Sequence, residues 1–170
     1  MFSIVFLKVS FKSSTRSSSS IRDFIFFATF VISFVRHIIE TYKVDKSKIY
    51  LCGTSMGAYG TWATAHEFPD MFKGIAPVSG GVYEISQYQA HRFKNLAVWA
   101  FHNKGDEIIR CEDSVVMINS INKEGGSAKI KSTEHSGREF INSTQSPTKI
   151  RSVGRLLAIR CKGLLILLPH

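Results

Sequence analysis

Apolar positions along the chain change period several times, and each change predicts an element. Val31, Phe34, Val35, Ile38 and Ile39 recur at helical spacing, which predicts a helix over 25–42. Asp45 and Lys46 then turn the chain into a short apolar strand, 48–53, built on Ile49-Tyr50-Leu51-Cys52. Ala58 to Phe68 reads as a helix that stops at Pro69. Gly74-Ile75-Ala76-Pro77-Val78-Ser79 is a second strand, closed by Gly80-Gly81. Leu96–Phe101 is a near-continuous apolar run, the mark of a strand covered on both faces. A helix follows from Asp113 to Lys123, with Asp113 as its cap, Val116, Met117 and Ile121 on its apolar side, and Gly125-Gly126 to stop it. Ala128–Lys131 is the next strand. Strands that alternate with helices imply an α/β fold with a parallel sheet and crossover helices.

This rhythm fills 23–142. Residues 1–22 are basic and Ser-rich and are expected to be poorly ordered, and residues 143–170 form a basic tail without the pattern. The 170 residues suit one domain, and 44% apolar content can fill a core. The net charge of +9 would suggest nucleic acid, but residues 23–142 hold 13 basic and 13 acidic side chains. The excess sits in the two ends, so no basic face belongs to the folded middle and a nucleic-acid role is not expected. Three cysteines, Cys52, Cys111 and Cys161, have no metal-like spacing, and no metal or organic cofactor is implied. The apolar stretch Phe24–Val35 is 12 residues long, too short to span a bilayer as a helix. Without a signal-peptide core either, a cytoplasmic location is the expectation.

The chemistry concentrates at Gly53-Thr54-Ser55-Met56-Gly57. A serine on a tight turn between strand and helix is held in a strained backbone, and glycines two residues to either side let the two elements approach. The helix start then aims backbone N–H groups, that of Met56 first, at negative charge forming beside the serine oxygen. Asp106 lies a short turn beyond the Leu96–Phe101 strand, where a carboxylate at a strand end can orient a histidine. Its bland alternative is a solvated turn carboxylate beside Glu107.

The stretch Val44 to Trp62 around this motif resembles the α/β-hydrolase family of predicted peptidases and esterases, near the prolyl-oligopeptidase-like, polyhydroxybutyrate-depolymerase-like and feruloyl-esterase-like enzymes. Phe68–Phe72, Ile75–Gly81 and Val98–Asp106 continue the likeness, which covers roughly 25–140. The resemblance implies the α/β-hydrolase fold, a parallel sheet flanked by helices, and a Ser–Asp–His triad in that chain order. Ser55 would be its nucleophile and Asp106 its acid. His102 would support the acid loop without catalytic duty, and His66 would pack or cap on its helix. The family's base lies in a Gly-His pair after the strand at 128–131, where this chain has Gly137-Arg138. Arginine stays charged and cannot take the proton. His135, three residues earlier on the expected loop, is the candidate base, with a solvated loop histidine as the alternative.

The first glycine is Gly53, so the early loop that gives the family its second oxyanion donor has no glycine here. The sequence is therefore expected to be a truncated member that lacks the N-terminal strands. Two functions stay open at this stage. One is a serine hydrolase acting on a small ester or a peptide; the other is a catalytically impaired fragment or pseudoenzyme that serves, if at all, as a binding module.

Overall fold

The computed structural model describes residues 4–9, 21–42, 44–82, 87–136 and 165–166. The elements run β1 (Ile4–Val9), α1 (Ile21–Thr41), β2 (Ile49–Thr54), α2 (Met56–Glu67), β3 (Gly74–Val78), β4 (Ala97–Gly105), α3 (Cys111–Lys123), β5 (Ala128–Ser136) and β6 (Leu165–Ile166). Among the described residues the strands form one six-stranded sheet of order β5-β4-β3-β2-β1-β6. Every pairing in it is parallel. This is the α/β architecture that the alternating pattern implies.

Within 1–22, where a poorly ordered segment is expected from the sequence, the described residues include one strand and the start of α1. Ile4–Val9 is a strand whose Val5, Phe6 and Leu7 pair with Ile49, Tyr50 and Leu51 of β2. Ile4-Val5-Phe6-Leu7 is apolar enough to join a sheet edge despite the Ser-rich stretch that follows it. The Ser-rich stretch 13–20 and most of 143–170 lie outside the described residues.

Alternation along the strands explains the two-sided burial. Ile49, Leu51, Ile75, Val98 and Ala100 face a core shared with Val31, Ile32 and Val35 of α1, Trp62 of α2, and Met117 and Ile121 of α3. Ala76, Val78 and Phe101 form a smaller cluster with Cys52 and Trp99, the intervening residues of the same strands. Helix α1 uses Ala28, Val31, Ile32 and Val35, an i, i+3, i+4, i+7 set, and leaves Phe34 exposed at 39%. Phe34 shares the helical period but sits beyond the edge of the stripe that α2 covers. Helix α3 starts two residues earlier than Asp113, with Arg110 at its cap position and Glu112 and Asp113 in the first turn. There the two carboxylates complement the helix dipole instead of capping it. No helix among the described residues is long and apolar enough to cross a membrane.

Candidate active site

Because the strands are parallel, everything that follows their last residues collects along one edge. Ser55 follows β2, Ser79 follows β3, Asp106 follows β4, and His135 is the penultimate residue of β5. One strand separates β2 from β4, about 10 Å at ordinary strand spacing. In open α/β sheets this carboxyl edge is where ligands bind.

Ser55 is the single residue between β2 and α2, at φ 54° and ψ −117°. Its amide donates to the Val78 carbonyl at 2.9 Å, which pins the turn to β3. Its carbonyl accepts from the amides of Ala58 at 2.9 Å and Tyr59 at 3.3 Å. The backbone of Ser55 is thus held on both sides, while its side chain makes no capping hydrogen bond to α2. Gly53 is required by contact: a Cβ there would overlap the Gly57 carbonyl and stand 2.8 Å from Thr61 Oγ1. Thr61 Oγ1 itself donates to the Gly57 carbonyl at 2.8 Å, so strand and helix are locked together at this spot.

Asp106 is buried, 7% exposed. Its Oδ1 accepts from the amides of Ile108 at 3.0 Å and Ile109 at 3.1 Å, which makes the carboxylate a fixed part of the turn after β4. A solvated turn carboxylate would be exposed. Asp106 is not.

His102 proves to be a strand residue, because β4 runs on to Gly105 past the apolar run that marked it in the sequence. It is fully buried. Burial pushes its imidazole below the ordinary 6.5, against an opposing pull from the Ile109 carbonyl and the carboxylates of Asp106, Asp113 and Glu112. His66 packs beside the Phe93 ring, with centroids 6.1 Å apart, and its Nδ1 meets Glu67 Oε1 at 2.9 Å. It lies at the far end of α2 from Ser55.

His135 belongs to a strand and not to a loop, since β5 extends to Ser136. Past Lys131 the strand runs Ser132-Thr133-Glu134, with no apolar residue to mark its continuation. Asn103 pairs with Thr133 and Gly105 with Ser136, so Glu134 and His135 lie opposite the single residue Lys104. Such a bulge re-aims a strand end and is common beside active sites. Lys104 Nζ and Glu134 Oε1 bridge the two strands here at 2.7 Å. Gly137 and Arg138 lie outside the described residues.

Ser79 escaped the sequence reading. Among the described residues it is the other non-glycine residue with positive φ, 48°, and is only 1% exposed. Its Oγ has no hydrogen-bond partner among the described residues. The one signal was its place before Gly80-Gly81, neither of which takes the positive φ. A left-handed serine with an orphaned hydroxyl costs stability. Ser79→Gly is therefore expected to raise stability by about 1 kcal/mol, read as a higher denaturant midpoint at unchanged slope.

The described residues contain no group of three or more His, Cys, Asp or Glu side chains able to hold a metal. The sheet, its helices and this edge define an α/β-hydrolase fold. The sequence profile of the prolyl oligopeptidase family matches residues 30–114, half of the chain, and the chain belongs to that family. Poly(3-hydroxyalkanoate) depolymerase C of Paucimonas lemoignei is 34% identical over 59 residues, 35% of this chain and 14% of that protein. A thermostable esterase of known structure superposes with a TM-score of 0.58 at 29% identity, over 69% of this chain and 30% of that one. SOBER1 of Arabidopsis thaliana reaches a TM-score of 0.67 over 85% of this chain and 68% of its own, at 16% identity, a likeness of fold alone. The chain thus spans about a seventh of the curated depolymerase that it matches.

Proposed function

We propose that the chain is a serine hydrolase that cleaves a carboxylic ester, with a peptide bond as the second candidate substrate. One observation carries the reading: Ser55 occupies a positive-φ position between a strand and a helix N-terminus, on the sheet edge that also bears a buried, amide-held Asp106. Relatives that carry the names depolymerase and esterase support ester substrates, and the family name supports the peptide alternative.

In this mechanism Ser55 Oγ attacks the ester carbonyl as an imidazole takes its proton. The Met56 amide, among the first N–H groups of α2 and so without a partner inside the helix, donates to the oxyanion. The imidazolium then protonates the departing alcohol, and water repeats the sequence on the acyl-enzyme to release the acid. Asp106 orients the imidazole and stabilises its charged form. His135 is the proposed base, at the end of the strand next to the one that leads to Asp106.

The competing reading, an impaired fragment that binds without turnover, draws on Arg138 at the position of the family's histidine. Arg138→His and His135→Ala separate the two. If Arg138 has displaced the base, Arg138→His raises hydrolysis of a nitrophenyl ester by at least ~10²-fold, and His135→Ala changes little. If His135 is the base, His135→Ala lowers the rate by a similar factor. The parent's rate then rises with pH through about 6.5 and flattens above it, as the imidazole gives up the proton that blocks it as a base. A flat profile between pH 5 and 9 in all three proteins would leave the binding module.

A further inference from the structure

A second polar cluster lies buried beneath the same edge, against the proposed acid: His102 Nε2 is 3.8 Å from Asp106 Oδ2. His102 is 0% and Ser114 2% exposed. His102 Nε2 is 3.0 Å from the Ile109 carbonyl, and His102 Nδ1 is 2.8 Å from Ser114 Oγ. Ser114 Oγ is in turn 3.2 Å from the Gly80 carbonyl.

Donor counting restricts how protons are arranged here. A carbonyl only accepts, so Nε2 must carry a proton. Ser114 has one hydroxyl proton and two acceptors in reach. With a neutral imidazole protonated at Nε2, the Ser114 proton can go to Nδ1 or to the Gly80 carbonyl, and the contact it leaves has two lone pairs facing, at 2.8 Å or 3.2 Å. With an imidazolium, Nδ1–H donates to Ser114 Oγ and the hydroxyl turns to the Gly80 carbonyl. Only the imidazolium supplies a proton to all three contacts; a neutral ring leaves Nδ1 and the Gly80 carbonyl competing for one.

The ends of this chain of contacts are the two halves of the proposed site. Ile109 closes the turn whose amides hold Asp106 Oδ1. Gly80 backs the elbow: a Cβ on it would overlap Ala58 Cβ and stand 3.0 Å from the Ser55 carbonyl oxygen. We propose that His102 and Ser114 are positioning residues that couple the Asp106–Ile109 turn to the Gly80 turn behind Ser55, with the Ser114 hydroxyl proton as the part that changes partner. The consequence for rate rests on the serine-hydrolase reading; the coupling between the turns does not. The ionisable groups that bear on His102 are Asp106 on the turn and Glu112 and Asp113 on α3, and burial outweighs all three. The ring is therefore neutral at neutral pH, where Nδ1 and the Gly80 carbonyl share the one Ser114 proton.

Long-range ¹H–¹⁵N NMR on the full chain at pH 7.5 is expected to show His102 as the Nε2–H tautomer. Ser114→Ala is expected to shift the amide signals of both Gly81, bonded to the Gly80 carbonyl carbon, and Ile109. His102→Gln moves the same pair, whereas Ser114→Thr, which keeps the hydroxyl, leaves them in place. Ser114→Ala and His102→Gln should each slow fluorophosphonate labelling of Ser55 about tenfold, with no further loss in the double variant. An Nδ1–H tautomer, shifts confined to the mutated side, or two rate losses that multiply would overturn the relay. A parent chain that resists labelling while both amide signals still move together sinks the hydrolase reading and leaves the relay intact. If His102→Gln does not fold, the parent's tautomer and the two Ser114 variants decide the matter.

Discussion

Ser55→Ala is expected to abolish fluorophosphonate labelling and to lower ester hydrolysis by at least ~10⁴-fold, with the fold intact. The geometry explains why the two readouts separate. The Ser55 hydroxyl makes no cap to α2, and the bonds that hold the turn run through its backbone to Val78, Ala58 and Tyr59. Alanine keeps every one of them and carries the same Cβ at φ 54°. The melting temperature should therefore move by no more than about 2 °C. Mass spectrometry of the labelled parent should find the probe on Ser55. Label on Ser79 or another serine, or label that persists in Ser55→Ala, removes the nucleophile assignment.

The tight strand–turn–helix at Ser55 was legible in the sequence because its constraint is local. A serine flanked by glycines between an apolar strand and a helix has few other uses, and the Gly53–Gly57 contact that demands them lies within five residues of chain. Asp106 was legible for a similar reason, as a carboxylate just beyond an apolar strand. What escaped depends on contacts between distant segments. Ile4–Val9 becomes a strand only because β2 offers an edge, which its serine-rich surroundings do not announce. The extension of β5 to Ser136 rests on pairing with β4, since Lys129, Lys131 and Glu134 give no apolar run. The links from His102 through Ser114 to Gly80 join positions 12 and 34 residues apart, a separation that no periodicity encodes.

Gly53→Ala is the substitution expected to do most damage to the fold. An added methyl would meet the carbonyl of Gly57, which is backbone in the first turn of α2, and Thr61 Oγ1 at 2.8 Å. Relief requires α2 to withdraw from β2. The Thr61 hydroxyl is fastened to that same carbonyl, and Ala58, Trp62 and Ala65 on the helix are wholly buried against the core, so retreat would open it. The hydrogen bond from the Ser55 N–H to the Val78 carbonyl would be strained as well, because the Ser55 turn moves with the helix. The expected cost is about 4 kcal/mol or more, most of the stability of an ordinary domain. Gly81→Ala is the control. The three atoms nearest its Cβ would all be side-chain atoms of Tyr59, at 3.1 Å and beyond, with no backbone among them, so a cost under about 1 kcal/mol is expected. Urea unfolding followed by near-UV circular dichroism compares the two variants. A Gly53→Ala protein with the parent's midpoint would mean that β2 and α2 are not held at this distance, and the Ser55 backbone would lose the contact that strains it.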